Sequence, residues 1–407
     1  MANATKHYAY YPDEKDVPTY LAYGFRPVFL LLAPYIVISS ILWGLVFSGV
    51  IPFFSSDTLT WHIYEFLYGI GTAGIMAFIF TGIPELYPGM VPFVGKRLKY
   101  ITLLWLSGRI SFWFTDYISI YVVFLLNISV LSWIIFWAFK PVVLDKLQRH
   151  SSIAYTILTL LILQIWFFFS QMGFVETSSM QILKIALGTF MVLTLLALRR
   201  VNMESINEIM EDKDIDDIFL ARAFRYNLAI FTVVLYTSVE FLYPNTSSLG
   251  WIGFACACAI LSILNDYILK YESILFEPFV IYLALVSILM ALGYGFMGFD
   301  ILDESIYGIN HFRHFLTSGA FGLAFFIVMV VISTVHTGRQ LSSNIYVVCG
   351  VLLILSATFI RSMIPFFEEY ISEAYMISSI LWALPFILYM KKYYPYLLAK
   401  RADGILG

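Results

Sequence analysis

Residues 27–51, PVFLLLAPYIVISSILWGLVFSGVI, run for a full membrane thickness without one charged side chain. A helix needs about 20 predominantly apolar residues to cross the hydrocarbon core of a bilayer, and this stretch exceeds that. The pattern returns along the chain, near 62–84, 99–115, 117–139, 152–172, 178–198, 224–243, 249–269, 275–296, 311–335, 345–364 and 372–390. The expected fold is therefore all-α, a polytopic membrane bundle of about twelve transmembrane helices.

Composition agrees. Only 13% of the 407 residues are charged, against 60% hydrophobic. An ordinary soluble domain carries about 25% charged residues, so this chain could not cover itself with a water-facing surface. Its 37 Phe and 28 Tyr suit lipid contact and interfacial belts. Cys256, Cys258 and Cys349 all sit in apolar runs without zinc spacing and read as small buried hydrophobes. The opening MANATKHYAYYPDEKD has no apolar core after a basic start, so no cleavable signal peptide is expected. Phosphate loops, Ser-His-Asp arrangements, EF-hands and nucleic-acid signatures are absent from the sequence, and no nucleic-acid partner is expected. The run Gly293-x-Gly295-x-x-Gly298 closes an apolar span and reads as close helix packing.

Loop charges orient the bundle, because Lys and Arg favour the cytoplasmic side. With the N-terminus cytoplasmic, the connections on that side carry Lys96, Arg97, Lys99, Lys140, Lys146, Arg149, Arg199, Arg200, Lys213, Arg222, Lys270 and Arg339, and the tail adds Lys391, Lys392, Lys400 and Arg401. The opposite connections carry almost none, and instead show Asp57, Asp116, Glu176, Asp300, Asp303, Glu304, Glu368 and Glu369. Both termini are expected in the cytoplasm. The whole of 1–407 reads as one membrane domain: an N-terminal segment (1–26), six spans (27–198), a cytoplasmic connector (199–223), six more spans (224–390) and a tail (391–407).

Ionisable residues inside a bilayer are expensive and mark function by default. Here they are few: His62, Glu65, Arg109, Lys184, Glu240, His311, Arg313, His314 and Arg361. By the expected topology His62, Glu65, Arg109, His311, His314 and Arg361 share one level in the outer half of the membrane. His62 and Glu65 are three residues apart and expected on one helix face, as are His311 and His314. Neutral imidazole is the commonest metal ligand, and an axial His is the usual holder of a haem iron. Two histidines on different helices could ligate one haem, or one haem and a second metal. Arg109 and Arg361 would suit haem propionates. Each histidine could equally be an interfacial residue bonded to backbone. His336 lies 22 residues after His314, about 33 Å along one helix, so it belongs to the cytoplasmic end with Arg26 and Arg339. There it could serve a second site or help clamp propionates. His7 and His150 sit in aqueous segments.

Several of these residues lie in segments that resemble a known family. Leu21-Ala22-Tyr23-Gly24-Phe25-Arg26-Pro27-Val28-Phe29-Leu30 resembles the GFRPFFL opening of the NnrS family. Trp61-His62-Ile63-Tyr64-Glu65 followed by Tyr68-Gly69 is similar to its WHxHE…FG segment, Thr81-Gly82-Ile83-Pro84 to TAxP, and Leu104-Trp105-Leu106-Ser107-Gly108-Arg109 to LWLxGR. His314-Phe315-Leu316-Thr317-Ser318-Gly319-Ala320 resembles HALTVGA, and His336-Thr337-Gly338-Arg339 resembles HTGR. The resemblance implies a haem- and copper-containing protein of the bacterial inner (cytoplasmic) membrane, linked to nitric oxide metabolism and nitrosative stress. It implies haem b, with His62, His314 and His336 as candidate ligands. Tyr64 stands where the family has a second histidine, and 279–292 lacks the histidine usual in the ninth span, which leaves copper open.

Three functions follow as expectations. The first is a haem protein that binds or reduces nitric oxide with electrons from membrane quinol, Glu65 and Tyr64 acting catalytically on protons beside His62. The second is a non-enzymatic haem or metal protein that sequesters nitric oxide. The third is a small-solute transporter, which few buried charges and no visible internal repeat argue against. The topology is testable at once. Reporter fusions near residues 57, 245 and 302 are expected to read as periplasmic, and those near 96, 145, 210 and 340 as cytoplasmic; a cytoplasmic reading at 302 would overturn the outer placement of His314.

Overall fold

In a bilayer every backbone N–H and C=O must be satisfied within the protein, which leaves helices or closed barrels. The computed structural model describes residues 11, 17–52, 55–87, 90–146, 150–244, 246–270, 272–303, 309–366 and 368–405, and among these the chain is all-helical. His7, Arg149 and Glu304, and the side chain of Glu368, lie outside what it describes. The long helices are α1 (Phe25–Phe47), α2 (Thr58–Leu86), α3 (Gly95–Trp113), α4 (Ile120–Val143), α5 (Ser151–Gln171), α6 (Ser179–Asp212), α7 (Ala223–Leu242), α8 (Ser247–Tyr267), α9 (Pro278–Leu302), α10 (Asn310–Val335), α11 (Ile345–Ser362) and α12 (Ile371–Leu398). Ten of them are long and apolar enough to cross a membrane. The other two are α3, which opens on Lys96, Arg97 and Lys99, and α7, which carries Arg225 and Glu240.

From α3 onward each helix packs on the next in sequence, and α12 closes back onto α1. Three helices make contacts across this succession as well as along it. α2 touches α1, α4 and α6; α6 touches α5, α7, α9 and α10; α10 touches α9, α11 and α12. Burial follows: 78% of the apolar window of α2 is buried, against 33% for the peripheral α4. All-round burial requires a helix apolar on every face, as α2 and α10 are apart from a few polar positions.

Both of these inner helices contain a π-turn, Glu65–Gly69 in α2 and Leu316–Phe321 in α10. Each begins two or three residues after a histidine, His62 or His314. Such turns are rare and occur often at functional sites.

The 199–222 stretch, read from sequence as a connector, is largely a continuation of α6 to Asp212. The reason is a buried stripe at helical spacing: Asn202, Ser205, Ile206, Ile209 and Met210. Asn202 donates to the hydroxyls of Tyr226 at 2.8 Å and Tyr267 at 2.6 Å, tying this extension to α7 and α8. Periodicity hidden among acidic residues carried the helix past its apolar core.

Two glycines show how closely the backbones approach. A Cβ on Gly24 would lie 2.6 Å from the carbonyl carbon of Phe80, so the turn into α1 rests directly on α2. A Cβ on Gly298 would lie 2.6 Å from the carbonyl oxygen of Gly250, seating α9 on α8. Gly295 on the same helix would meet only the Ala257 Cβ, at 3.6 Å. Gly298→Ala is therefore expected to lower the thermal midpoint of the detergent-solubilised protein by an amount equivalent to about 1–3 kcal/mol, while Gly295→Ala leaves it within error of the parent. Equal midpoints would show that α8 and α9 can part without loss.

Candidate functional site

The inner helices leave two cavities, at opposite ends of the bundle. The first, about 380 Å³, lies among α1, α2, α6, α10, α11 and α12. His62, His311, His314, Arg361 and Lys184 all line it. The shared level inferred from loop charges is thus a shared chamber for four of the six residues assigned to it.

The imidazole of His62 lies flat on Trp43, with ring centroids 3.8 Å apart and planes 5° from parallel. Phe66 flanks it at 4.5 Å. Its Nδ1 is buried and has no hydrogen-bond partner. A buried imidazole nitrogen left without a partner is costly. His314 is oriented differently. Its Nδ1 sits 3.1 Å from the carbonyl oxygens of both Asn310 and His311. Two carbonyls can only accept, so Nδ1 carries the proton and Nε2 keeps its lone pair. That is the arrangement by which proteins fix a metal-ligating histidine.

His311 is set the other way. Arg361 donates to its Nδ1 at 3.0 Å, which uses that lone pair and puts the proton on Nε2. The expected metal-ligating role of His311 therefore has no lone pair to rest on. Arg361 also stacks on Tyr375, its guanidinium carbon 4.0 Å from the ring centre. Among the described residues neither Arg361 nor Lys184 pairs with a carboxylate, and none of the lining residues is acidic. Lys184 is half-buried and near Glu240, but Arg361 is a largely buried cation without an ion-pair partner among the described residues, which costs several kcal/mol, so this chamber suits an anion.

Three expected site residues lie elsewhere. Glu65, Tyr64 and Arg109 do not line the chamber. Glu65 accepts from Arg109 Nη1 at 2.9 Å and from the Tyr35 hydroxyl. Arg109 also donates to Asn127 Oδ1. Tyr64 donates to Asn127 at 3.0 Å and accepts from Gln164 at 2.8 Å. Three residues at 3.6 per turn leave two side chains about 60° apart. That is enough for His62 to line the chamber against Trp43 of α1 while Glu65 turns to Tyr35 of α1 and Arg109 of α3. Glu65 and Tyr64 are thus held in a buried network, not beside His62, and Arg109 is spent on Glu65 instead of an external carboxylate. Gly69 makes room for this network, since a Cβ there would meet Glu65 at 2.7 Å and Tyr35 at 2.8 Å. A parallel pair, Arg313 with Glu240, ties α10 to α7.

The second cavity, about 180 Å³, lies among α2, α4, α5, α6 and α10 and is mostly apolar. His336 and Glu85 stand at its polar end, Nδ1 to Oε1, 3.0 Å apart. Burial opposes the charged imidazolium of His336, but the Glu85 carboxylate outweighs it and holds its pKa above the ordinary value. The Tyr23 hydroxyl also donates to Glu85. Arg26 and Arg339 are at this end, as expected, but neither lines the cavity. Arg26 Nη1 donates to the carbonyls of Tyr396 at 3.2 Å, Leu397 at 2.7 Å and Ala399 at 2.9 Å, capping α12. Arg339 lies over the Tyr396 ring at 4.2 Å. They anchor the C-terminal helix instead of clamping propionates. Sequence reasoning missed Trp43 and Lys184 as chamber residues, since neither falls in a motif; the lone lysine of an apolar span was the one available signal for Lys184.

The buried pair makes a clear prediction. Arg109→Leu leaves the Glu65 charge uncompensated and is expected to cost about 3–5 kcal/mol; adding Glu65→Leu should recover much of it. Thermal unfolding in detergent measures both, and a double variant no more stable than Arg109→Leu would refute the pairing.

The family described as NnrS protein matches this chain over residues 19–401, and no curated protein matches it.

Proposed function

We propose, from the fact that this chain belongs to the NnrS family, that it is a haem-binding membrane protein of nitric oxide metabolism whose haem sits in the His62–His314 chamber. The observation that supports this reading most is the unsatisfied pair of imidazoles: His62 Nδ1 without a partner, and His314 with Nδ1 tied to carbonyls and Nε2 free. The chamber's volume falls in the about 300–1,000 Å³ range of pockets for cofactor-sized ligands. Arg361 and Lys184 supply positive charge for two propionates. When bound, haem supplies an iron that takes nitric oxide as a ligand. The chain's own part is to hold and orient. Trp43 and Phe66 fix the His62 ring, the Asn310 and His311 carbonyls fix the His314 tautomer, and Tyr375 and His311 fix Arg361.

We place the chamber in the outer half of a twelve-span bundle with both termini cytoplasmic, because the loop charges put His62 and His314 there. Among the described residues no group of three or more His, Cys, Asp or Glu comes together to hold a metal without haem, so copper is not part of this reading.

The chamber favours binding over turnover, since its lining offers no carboxylate to deliver protons. A second reading, reduction of nitric oxide with electrons from membrane quinol, is favoured by one observation: the second cavity is apolar and ends on His336 and Glu85, which suits a lipid-soluble donor.

The test is an absorption spectrum of the purified protein from haem-replete cells. A Soret band that shifts on reduction and on adding nitric oxide is expected. His62→Ala and His314→Ala should abolish or shift it, and Arg361→Leu should lower haem content several-fold, while His150→Ala leaves it intact. Equal haem content in wild type, His62→Ala and His314→Ala would overturn the chamber assignment and move the haem to His336.

A further inference from the structure

The second cavity contains features that nothing in the chamber explains. It is a partly open cleft running from Phe321 near the bundle centre to His336 and Glu85 at one end. Its walls are apolar and aromatic, with Phe78, Phe139, Phe190 and Phe325 among them. Polar groups gather at one end only. There Glu85 engages His336 Nδ1, which leaves Nε2 on the opposite edge of the ring. Thr81 is 3% exposed and lines the cleft, yet its hydroxyl has no hydrogen-bond partner. A buried hydroxyl without a partner is costly to keep, which points to a ligand atom that satisfies it. Beside Thr81 stands Gly82. A Cβ there would meet nothing closer than Leu86 at 4.0 Å, so the space next to it is open.

We propose that this cleft is a quinol site, with the hydroxyl-bearing ring at the Thr81–Glu85–His336 end and the isoprenoid tail along the apolar walls. This inference assigns a place to the donor of the second reading above and rests on it for its biological meaning, but the binding itself stands on the cleft alone.

Charge chooses the head group. The polar end holds Glu85 and Glu204, and Arg200 is already paired with Glu204 in an i, i+4 bridge. His336 is engaged by Glu85, and His150 packs against Tyr87. A phosphate head would meet two carboxylates, and among the described lining residues the arginine is already paired with one of them. A neutral head that donates hydrogen bonds meets acceptors instead: the Glu85 carboxylate and the Thr81 oxygen. A hydroquinone has two hydroxyl donors on a flat ring, and its apolar tail suits the apolar and aromatic walls beneath. The oxidised quinone lacks those donors and should bind more weakly.

The probe is a short-tailed hydroquinone, titrated into the full-length protein in nanodiscs under reducing conditions, with its quinone and an anionic phospholipid as competitors. Saturable binding is expected, with the quinone at least several-fold weaker and the phospholipid unable to displace the probe. Gly82→Trp puts a large ring on the open side of Gly82 and should weaken binding tenfold or more. Thr81→Val and Glu85→Gln should each reduce it several-fold and narrow the difference between hydroquinone and quinone. The haem spectrum and thermal midpoint of each variant report the chamber and the fold separately. Gly82→Trp with parental spectrum, midpoint and hydroquinone affinity would overturn the site. Ready displacement by phospholipid would show a lipid groove and overturn it too. Loss of haem from His62→Ala has no bearing on this result, so the two assignments fail independently. If Gly82→Trp does not fold, parental affinity in both Thr81→Val and Glu85→Gln overturns the site.

Discussion

A charge between helices in hydrocarbon must find its counter-charge inside the bundle or hold a place for one that arrives. That constraint sorts this protein's ionisable residues into two kinds. Arg109 with Glu65, and Arg313 with Glu240, are closed pairs. They tie α3 to α2 and α10 to α7 and leave little charge to offer a ligand. Arg361 is open, facing a chamber with no carboxylate in its lining, with the half-buried Lys184 beside it. Only the open kind predicts a ligand. The closed pairs also tether α3 and α7, the two helices too polar to qualify as spans on their own, to their neighbours.

The same sorting shows what was legible in the sequence. Length and apolarity placed the start of every long helix within about four residues, because a bilayer requires one element type, but α6, α9 and α12 run on past the expected span ends. Loop charge placed His62, His311, His314 and Arg361 at one level, and the structure joins them in one chamber. Level was readable, but azimuth was not. Glu65 and Arg109 face away from the chamber, toward Tyr35 and Asn127. A spacing of three residues says that two side chains are near each other, not that they share a neighbour. Which helix stands opposite each is a property of the packed bundle. The extension of α6 was missed for a related reason. Its buried stripe from Asn202 to Met210 lies among acidic residues that read as solvated.

The π-turns deserve a mechanical reading. Each inserts extra backbone where the inner helix passes the chamber, just beyond His62 in α2 and His314 in α10. A π-turn shifts the register of everything after it relative to everything before it. In α2 this lets the residues before the turn address the chamber, while Gly71, Gly74 and Thr81 after it address the second cleft. One helix can then serve two sites on differing faces without a proline kink at that point. Gly69, inside the turn, is small because the Glu65–Arg109 pair occupies the volume its side chain would need.

The two cavities meet at a single side chain. Phe321 lines both, and it packs on Phe325 at 4.5 Å and on Phe190 at 5.7 Å between ring centres. It closes the π-turn of α10, so the element that displaces α10 at the chamber also sets the partition. Gly71 and Gly74 keep that partition thin, for a Cβ on either would strike Phe190 or Phe325 at 2.4 and 2.3 Å. Larger residues there would push these rings toward Phe321 and toward the cavities on either side. The small residues of α2 therefore do more than admit a neighbouring helix. They let three aromatic rings form a wall one side chain deep, which separates a charged chamber from an apolar cleft while keeping the two in contact.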